Sequence, residues 1–108
     1  MSFVTAHVLD ASLGTPATGV TITLLAADNT EIAQAVTNDD GRVPDLGPET
    51  LDSGVYRITF GTGEYFARRN VETFYPSITV DFKVDANQKH YHVPLLLSPF
   101  AYSTYRGS

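Results

Sequence analysis

His90 and His92 stand two residues apart in a chain that has only three histidines. In an extended strand this spacing turns both imidazoles to one face, while Tyr91, Val93 and Leu95 point to the other. One face then serves a core, and the other carries groups that exchange protons near neutral pH. The third histidine, His7, falls mid-way along a second alternating run, Phe3 to Asp10, on the face shared by Phe3, Thr5 and Leu9. Arg42 follows Asn38-Asp39-Asp40-Gly41, a polar turn whose glycine is free to take a positive φ, so a tight turn delivers it to the start of the next extended piece. Tyr105, Arg106, Gly107 and Ser108 end the chain with an aromatic, a guanidinium and a permissive glycine, where chain ends are normally frayed and polar. That composition points to an end tucked into a site.

Brought together, these residues have a definite chemistry. Imidazoles of His7 and His92 can move protons, and the guanidiniums of Arg42 and Arg106 can hold a planar, carbonyl-rich or anionic ligand through paired hydrogen bonds. Cysteine is absent, which removes thiol nucleophiles, disulfides and thiolate metal sites. Ser12, Ser53, Ser98 and Ser103 do not sit in a nucleophile-elbow pattern, so water is the expected nucleophile. Two other readings compete at this level. His90 and His92 could be only the solvated face of a strand, or they could join His7 in a three-histidine zinc site. Against the zinc site, no Asp or Glu stands beside the pair to orient a ring.

The elements that must position these groups are mostly strands. Phe3 to Asp10 alternates and ends before a loop marked by Gly14, Pro16 and Gly19. Val20 to Leu25 is rich in β-branched residues, and Asp28-Asn29 turns it into Thr30 to Thr37 as a hairpin. Pro44 to Ser53 reads as an irregular connection. Gly54 to Gly61 is a strand with Tyr56, Ile58 and Phe60 on its core face. Thr62 onward reads as a helix of about two turns, capped near Thr62, with Glu64 early, Arg68 and Arg69 late and Asn70 in the left-handed closing position. Phe74-Tyr75-Pro76 breaks the chain, Ile78 to Val84 alternates with one polar face, and Asp85 to Gln88 turns back toward His90. Seven or eight strands with one short helix predict an all-β, two-sheet sandwich, and 108 residues form one domain, 1–108.

The formal charge of -5 with only seven Lys and Arg argues against nucleic acid as a partner. The apolar stretches fall well short of the ~20 residues of a membrane span. Met1 to Thr5 lacks a basic leader followed by an apolar run, and no peroxisomal signal is visible, so a soluble, cytoplasmic location is expected.

Thr5-Ala6-His7-Val8-Leu9-Asp10, Thr37 to Arg42, Phe74-Tyr75-Pro76 and the stretch from His90 through Tyr105-Arg106-Gly107-Ser108 resemble the 5-hydroxyisourate hydrolases, the transthyretin-related enzymes of purine breakdown. The resemblance covers essentially the whole chain. Hormone-carrying transthyretins share the fold but lack the terminal tetrapeptide and the histidine pattern. Two departures are Ala6, where the family usually has Thr, and Ala101, where Gly is common. The resemblance implies a transthyretin-like sandwich assembled as a homotetramer, a dimer of dimers, with sites in the channel where dimers meet. It implies hydrolysis of 5-hydroxyisourate at its N1–C6 amide, to 2-oxo-4-hydroxy-4-carboxy-5-ureidoimidazoline, with no cofactor and no metal. It assigns catalysis to His7, Arg42 and His92, and substrate binding to His7, Arg42, Tyr105, Arg106, Gly107 and Ser108. Two readings from other classes stand beside it: a transthyretin-like carrier without chemistry, and an immunoglobulin-like interaction domain.

Overall fold

The computed structural model describes residues 2–108. Period-two alternation of apolar residues draws most of its strands. In chain order they are β1 (Val4–Asp10), β2 (Thr15–Pro16), β3 (Thr21–Ala26), β4 (Glu31–Val36), β5 (Arg42–Val43) and β6 (Gly54–Phe60). After helix α1 (Thr62–Arg68) come β7 (Ile78–Val84), β8 (Tyr91–Leu97) and β9 (Tyr102–Thr104). Seven of the strands have three residues or more. One sheet has the order β2-β1-β8-β9, with β5 also on β1, and the other has the order β4-β3-β6-β7. Val4, Ala6 and Val8, Ile22 and Leu24, Ile58 and Phe60, and Leu95 and Leu97 are buried between the two sheets. This is the expected sandwich, and Tyr56 packs at the margin of the face it shares with Ile58 and Phe60.

Three local expectations change. The Ala11 to Gly19 loop contains β2, whose Pro16 and Thr15 pair with Leu9 and Asp10. Phe3 does not continue the alternation of β1. It lies before the strand, where its backbone bonds to Pro48 and Tyr91, and its buried ring packs 5.6 Å from that of Tyr91. Thr62 does not cap the helix. The N-cap is Gly61, with no side-chain cap, and Thr62 lies inside the first turn, buried, its hydroxyl without a partner. The whole Thr62 side chain, hydroxyl included, is buried rather than used for capping. The other helix end behaves as its sequence predicts, with Asn70 at φ 55°.

Gly41 is required where it stands. Its φ is 71°, and a Cβ there would lie 2.3 Å from the Val8 carbonyl oxygen. Only a glycine lets this turn close on β1, where the Gly41 carbonyl accepts from the Val8 amide at 2.8 Å.

Asp10 ties the far end of β1 to the helix. Its carboxylate is fully buried and accepts from the Ser12 and Leu13 amides, the Ser12 hydroxyl, the Tyr65 hydroxyl at 2.8 Å and Arg69 at 2.9 Å. Burial pushes the carboxyl upward, but the hydrogen bonds from Ser12, Tyr65 and Leu13 and the Arg69 charge outweigh it and hold it below the ordinary aspartate range. A depressed folded-state value means that the stabilisation is complete above the unfolded value of about 3.9 and is lost as pH falls through the lower one. Asp10→Ala, which strands Tyr65 and Arg69, should cost about 3 kcal/mol in urea unfolding at neutral pH. Asp10→Asn should flatten the acid limb of stability against pH.

Candidate active site

β1 and β8 run parallel with Thr5 level with His92 and His7 level with Pro94. On the other edge of β1, His7 stands opposite Arg42 of β5. Arg42 is held by the preceding turn: the Asn38 side-chain oxygen accepts from the Asp40 amide at 2.9 Å and the Arg42 amide at 3.0 Å. Three strands of one sheet thus bring His7, Arg42 and His92 together, the two imidazole centroids lying 6.4 Å apart. The Arg42 guanidinium has no hydrogen-bond partner among the described residues.

The proton on His7 can be located. Its Nε2 lies 3.0 Å from the Asp40 carbonyl oxygen, and a carbonyl can only accept, so neutral His7 carries its proton on Nε2 and leaves Nδ1 bare. Burial, followed by the Arg42 charge, lowers its proton affinity below the ordinary histidine value despite the opposing Asp40 contacts. His92 is lowered too, first by burial and then by Arg42, His7 and His90. Both rings are therefore neutral at neutral pH.

His92 Nδ1 lies 2.8 Å from the Thr5 hydroxyl, and His90 Nε2 lies 2.9 Å from the same oxygen. The two histidines do share a face, as alternation requires, with the buried Thr5 between them. A cavity of about 470 Å³ is lined by Thr5, His90 and His92 on one side, by Arg42 to Asp45 on the other, and by Ser108. His7 is not among its lining residues and stands beside it.

The chain end divides between two places. Leu95 pairs with Thr104 and His92 with Gly107, so the tail keeps the register of β9 past Pro94. Pro94 has no N–H to donate, and the ladder skips it; its carbonyl accepts from the Thr104 hydroxyl at 2.7 Å. Gly107 donates its amide to the His92 carbonyl at 2.9 Å, and a Cβ on it would lie 2.6 Å from His92 Cδ2 and 3.0 Å from Pro94 Cγ. Close approach to the ring, rather than an unusual φ, requires this glycine. Tyr105 and Arg106 turn elsewhere: they line a second cavity of about 290 Å³ between β7 and β8, where Arg106 lies 4.4 Å over the Tyr91 ring. Of the terminal four, Ser108 lines the first cavity and Gly107 supports His92.

No group of three or more His, Cys, Asp or Glu is arranged to hold a metal ion among the described residues. The expected site residues omitted Thr5, Asp45, the Asp40 carbonyl and any role for His90. Thr5 had a signal, since it shares a face with His7, but its meaning depends on the parallel pairing of β1 with β8. Gly107→Ala should shift the ring resonances of His92 in NMR spectra while leaving the thermal midpoint within a few degrees. Unmoved resonances would mean that the tail does not press on the ring.

The HIUase/Transthyretin family model matches residues 4–107. A probable 5-hydroxyisourate hydrolase of Caenorhabditis elegans is 48% identical over 109 residues, covering 97% of this chain and 81% of the relative. The structure of Klebsiella pneumoniae 5-hydroxyisourate hydrolase is similar with a TM-score of 0.90 at 41% identity, covering 100% of this chain and 94% of that one. Sea bream transthyretin in complex with thyroxine is similar with a TM-score of 0.89 at 34% identity, covering 97% and 94%. With a family match over nearly its whole length and relatives this similar, the chain belongs to the HIUase/Transthyretin family.

Proposed function

We propose that residues 1–108 form one hydrolase domain that opens 5-hydroxyisourate with water at the N1–C6 amide bond, an enzyme of urate degradation. The hydrolase names of the relatives support the reaction. The observation that carries the chemistry is Arg42, unpaired among the described residues, on one cavity with a His92 whose proton affinity is lowered. His92 Nε2 takes a proton from water as the water oxygen bonds to the carbonyl carbon. Arg42 donates to the oxygen on which charge develops. His92 then returns the proton to the departing nitrogen as the C–N bond breaks. His7, with a bare Nδ1 and a lowered proton affinity, is suited to accept from a substrate N–H, with Asp40 holding the ring. A carrier of apolar ligands gains nothing from an exposed guanidinium beside two imidazoles, which weighs against the transthyretin-like carrier.

The test adds the protein to urate being oxidised by urate oxidase and follows the ultraviolet decay of the intermediate. Decay should accelerate; unchanged decay would favour the carrier. His92→Asn and Arg42→Lys should each lower kcat by about 100-fold or more. Because the base must be unprotonated, the acid limb of the rate should fall at a pH below 6.5.

The proposed assembly is a homotetramer, with substrate sites where subunits meet. Both sheets end on open edges, β9 in one and β7 in the other. Val80 and Phe82 on β7 are only half-buried, and Phe74, Phe100, Tyr102 and Tyr105 are exposed. Bare edges flanked by aromatic groups suit pairing with a second copy. Tyr105 and Arg106 belong to this region and would reach substrate through the assembly. Sedimentation should give a mass near four times 11.7 kDa, and a fully active monomer would refute the shared sites.

A further inference from the structure

A single buried hydroxyl sits between two imidazole nitrogens at 2.9 and 2.8 Å. Threonine has one hydroxyl proton, so at least one of the two rings must donate to it. If both rings donate to the hydroxyl's two lone pairs, His92 carries its proton on Nδ1; where Thr5 instead donates to one ring, the bridge has two directions. In one, His90 donates to Thr5 and Thr5 donates to His92 Nδ1, which puts the His92 proton on Nε2. In the other, His92 donates from Nδ1, Thr5 donates to His90 Nε2, and His92 Nε2 is bare.

We propose that Thr5 and His90 are positioning residues that hold His92 in the second arrangement, with its proton on Nδ1 and Nε2 free to take a proton from water. This rests on the hydrolase reading above. Arg42 favours this direction, because a guanidinium only donates and a proton on Nε2 would add another donor to the cavity they share. Other ionisable groups near the bridge are His7 on β1 and Asp45 after β5, with Ser108 beside them. Thr5 is fixed for the role by the ladder, level with His92, and by its stiff β-branched side chain. When His92 Nε2 takes the proton, its Nδ1–H stays on Thr5 and the bridge steadies the imidazolium.

Nitrogen-15 NMR of the imidazoles reads this directly, without substrate. Wild-type His92 above its titration should be the Nδ1–H tautomer, Thr5→Val should shift it toward Nε2–H, and Thr5→Ser should restore it. In the decay assay, Thr5→Val should lose kcat by about 100-fold with KM changed by no more than about twofold, and Thr5→Ser should recover most of the loss. If Thr5→Val does not fold, His90→Leu, on a partly exposed residue, should lose both the tautomer and kcat, and His90→Gln, which keeps an acceptor, should restore both. A wild-type His92 with its proton on Nε2 would overturn the proposal, as would Thr5→Val or, where that variant does not fold, His90→Leu matching wild type in both readouts. If the wild type fails to accelerate decay, the hydrolase reading falls, while the tautomer measurement still decides the arrangement of the bridge.

Discussion

The parallel pairing of β1 with β8 is the constraint on which the site depends. Residues 85 apart or more in sequence become neighbours: Thr5 level with His92, His7 level with Pro94. A parallel pair cannot be closed by a tight turn, so the intervening chain must cross over between these strands. That crossover holds the second sheet, with its antiparallel pairs β3 with β4 and β6 with β7, and α1, which is tied to the end of β1 through Asp10. Contacts of such long sequence separation form at a high entropy cost. The site is assembled across one of the long-range pairings of the fold.

Everything else at the site hangs from these two strands. β5 brings Arg42 in on one edge of β1 only because Gly41 tolerates contact with the Val8 carbonyl. The chain end comes in on the other edge of β8, and Gly107 tolerates contact with the His92 ring. Two glycines, required for different reasons, clamp the cavity from opposite sides. One meets a positive φ and a close backbone, and the other meets only the ring and Pro94. This explains why a short tail is held in place where frayed ends are common.

Alternation made most of the strands legible, together with the two-sheet architecture, the shared face of His90 and His92 and the left-handed Asn70. Residues on one strand obey one local rule, and that rule is printed in the sequence. Pairing between distant strands is not printed in this way. Nothing local says that β1 and β8 run parallel, so the place of Thr5 between two imidazoles was invisible, though its face was correctly assigned. The same holds for Thr62, whose type suits a cap but which is buried in the helix, and for Phe3, which leaves its alternating run to pack on Tyr91. Tyr105 and Arg106 follow the tail's register but turn to the second cavity, a direction fixed by the path of β9 and not by their own chemistry.

The donor and acceptor pattern separates this cavity from one built to hold an apolar ligand. His7 commits Nε2–H to a backbone carbonyl and keeps Nδ1 bare, whereas His92 commits Nδ1 to Thr5 and keeps Nε2. The two rings therefore offer opposite nitrogens, and both lie under the influence of a guanidinium that can only donate. An amide needs an acceptor for its N–H and a donor for its carbonyl. In the proposed reaction the two imidazoles and Arg42 would supply that set, so that charge developing on the attacked oxygen would meet a cation with no hydrogen-bond partner among the described residues. A structurally similar sandwich, sea bream transthyretin, is seen in complex with thyroxine. In the proposed reaction, three polar side chains on three neighbouring strands of one sheet would turn the pocket toward water and amide chemistry.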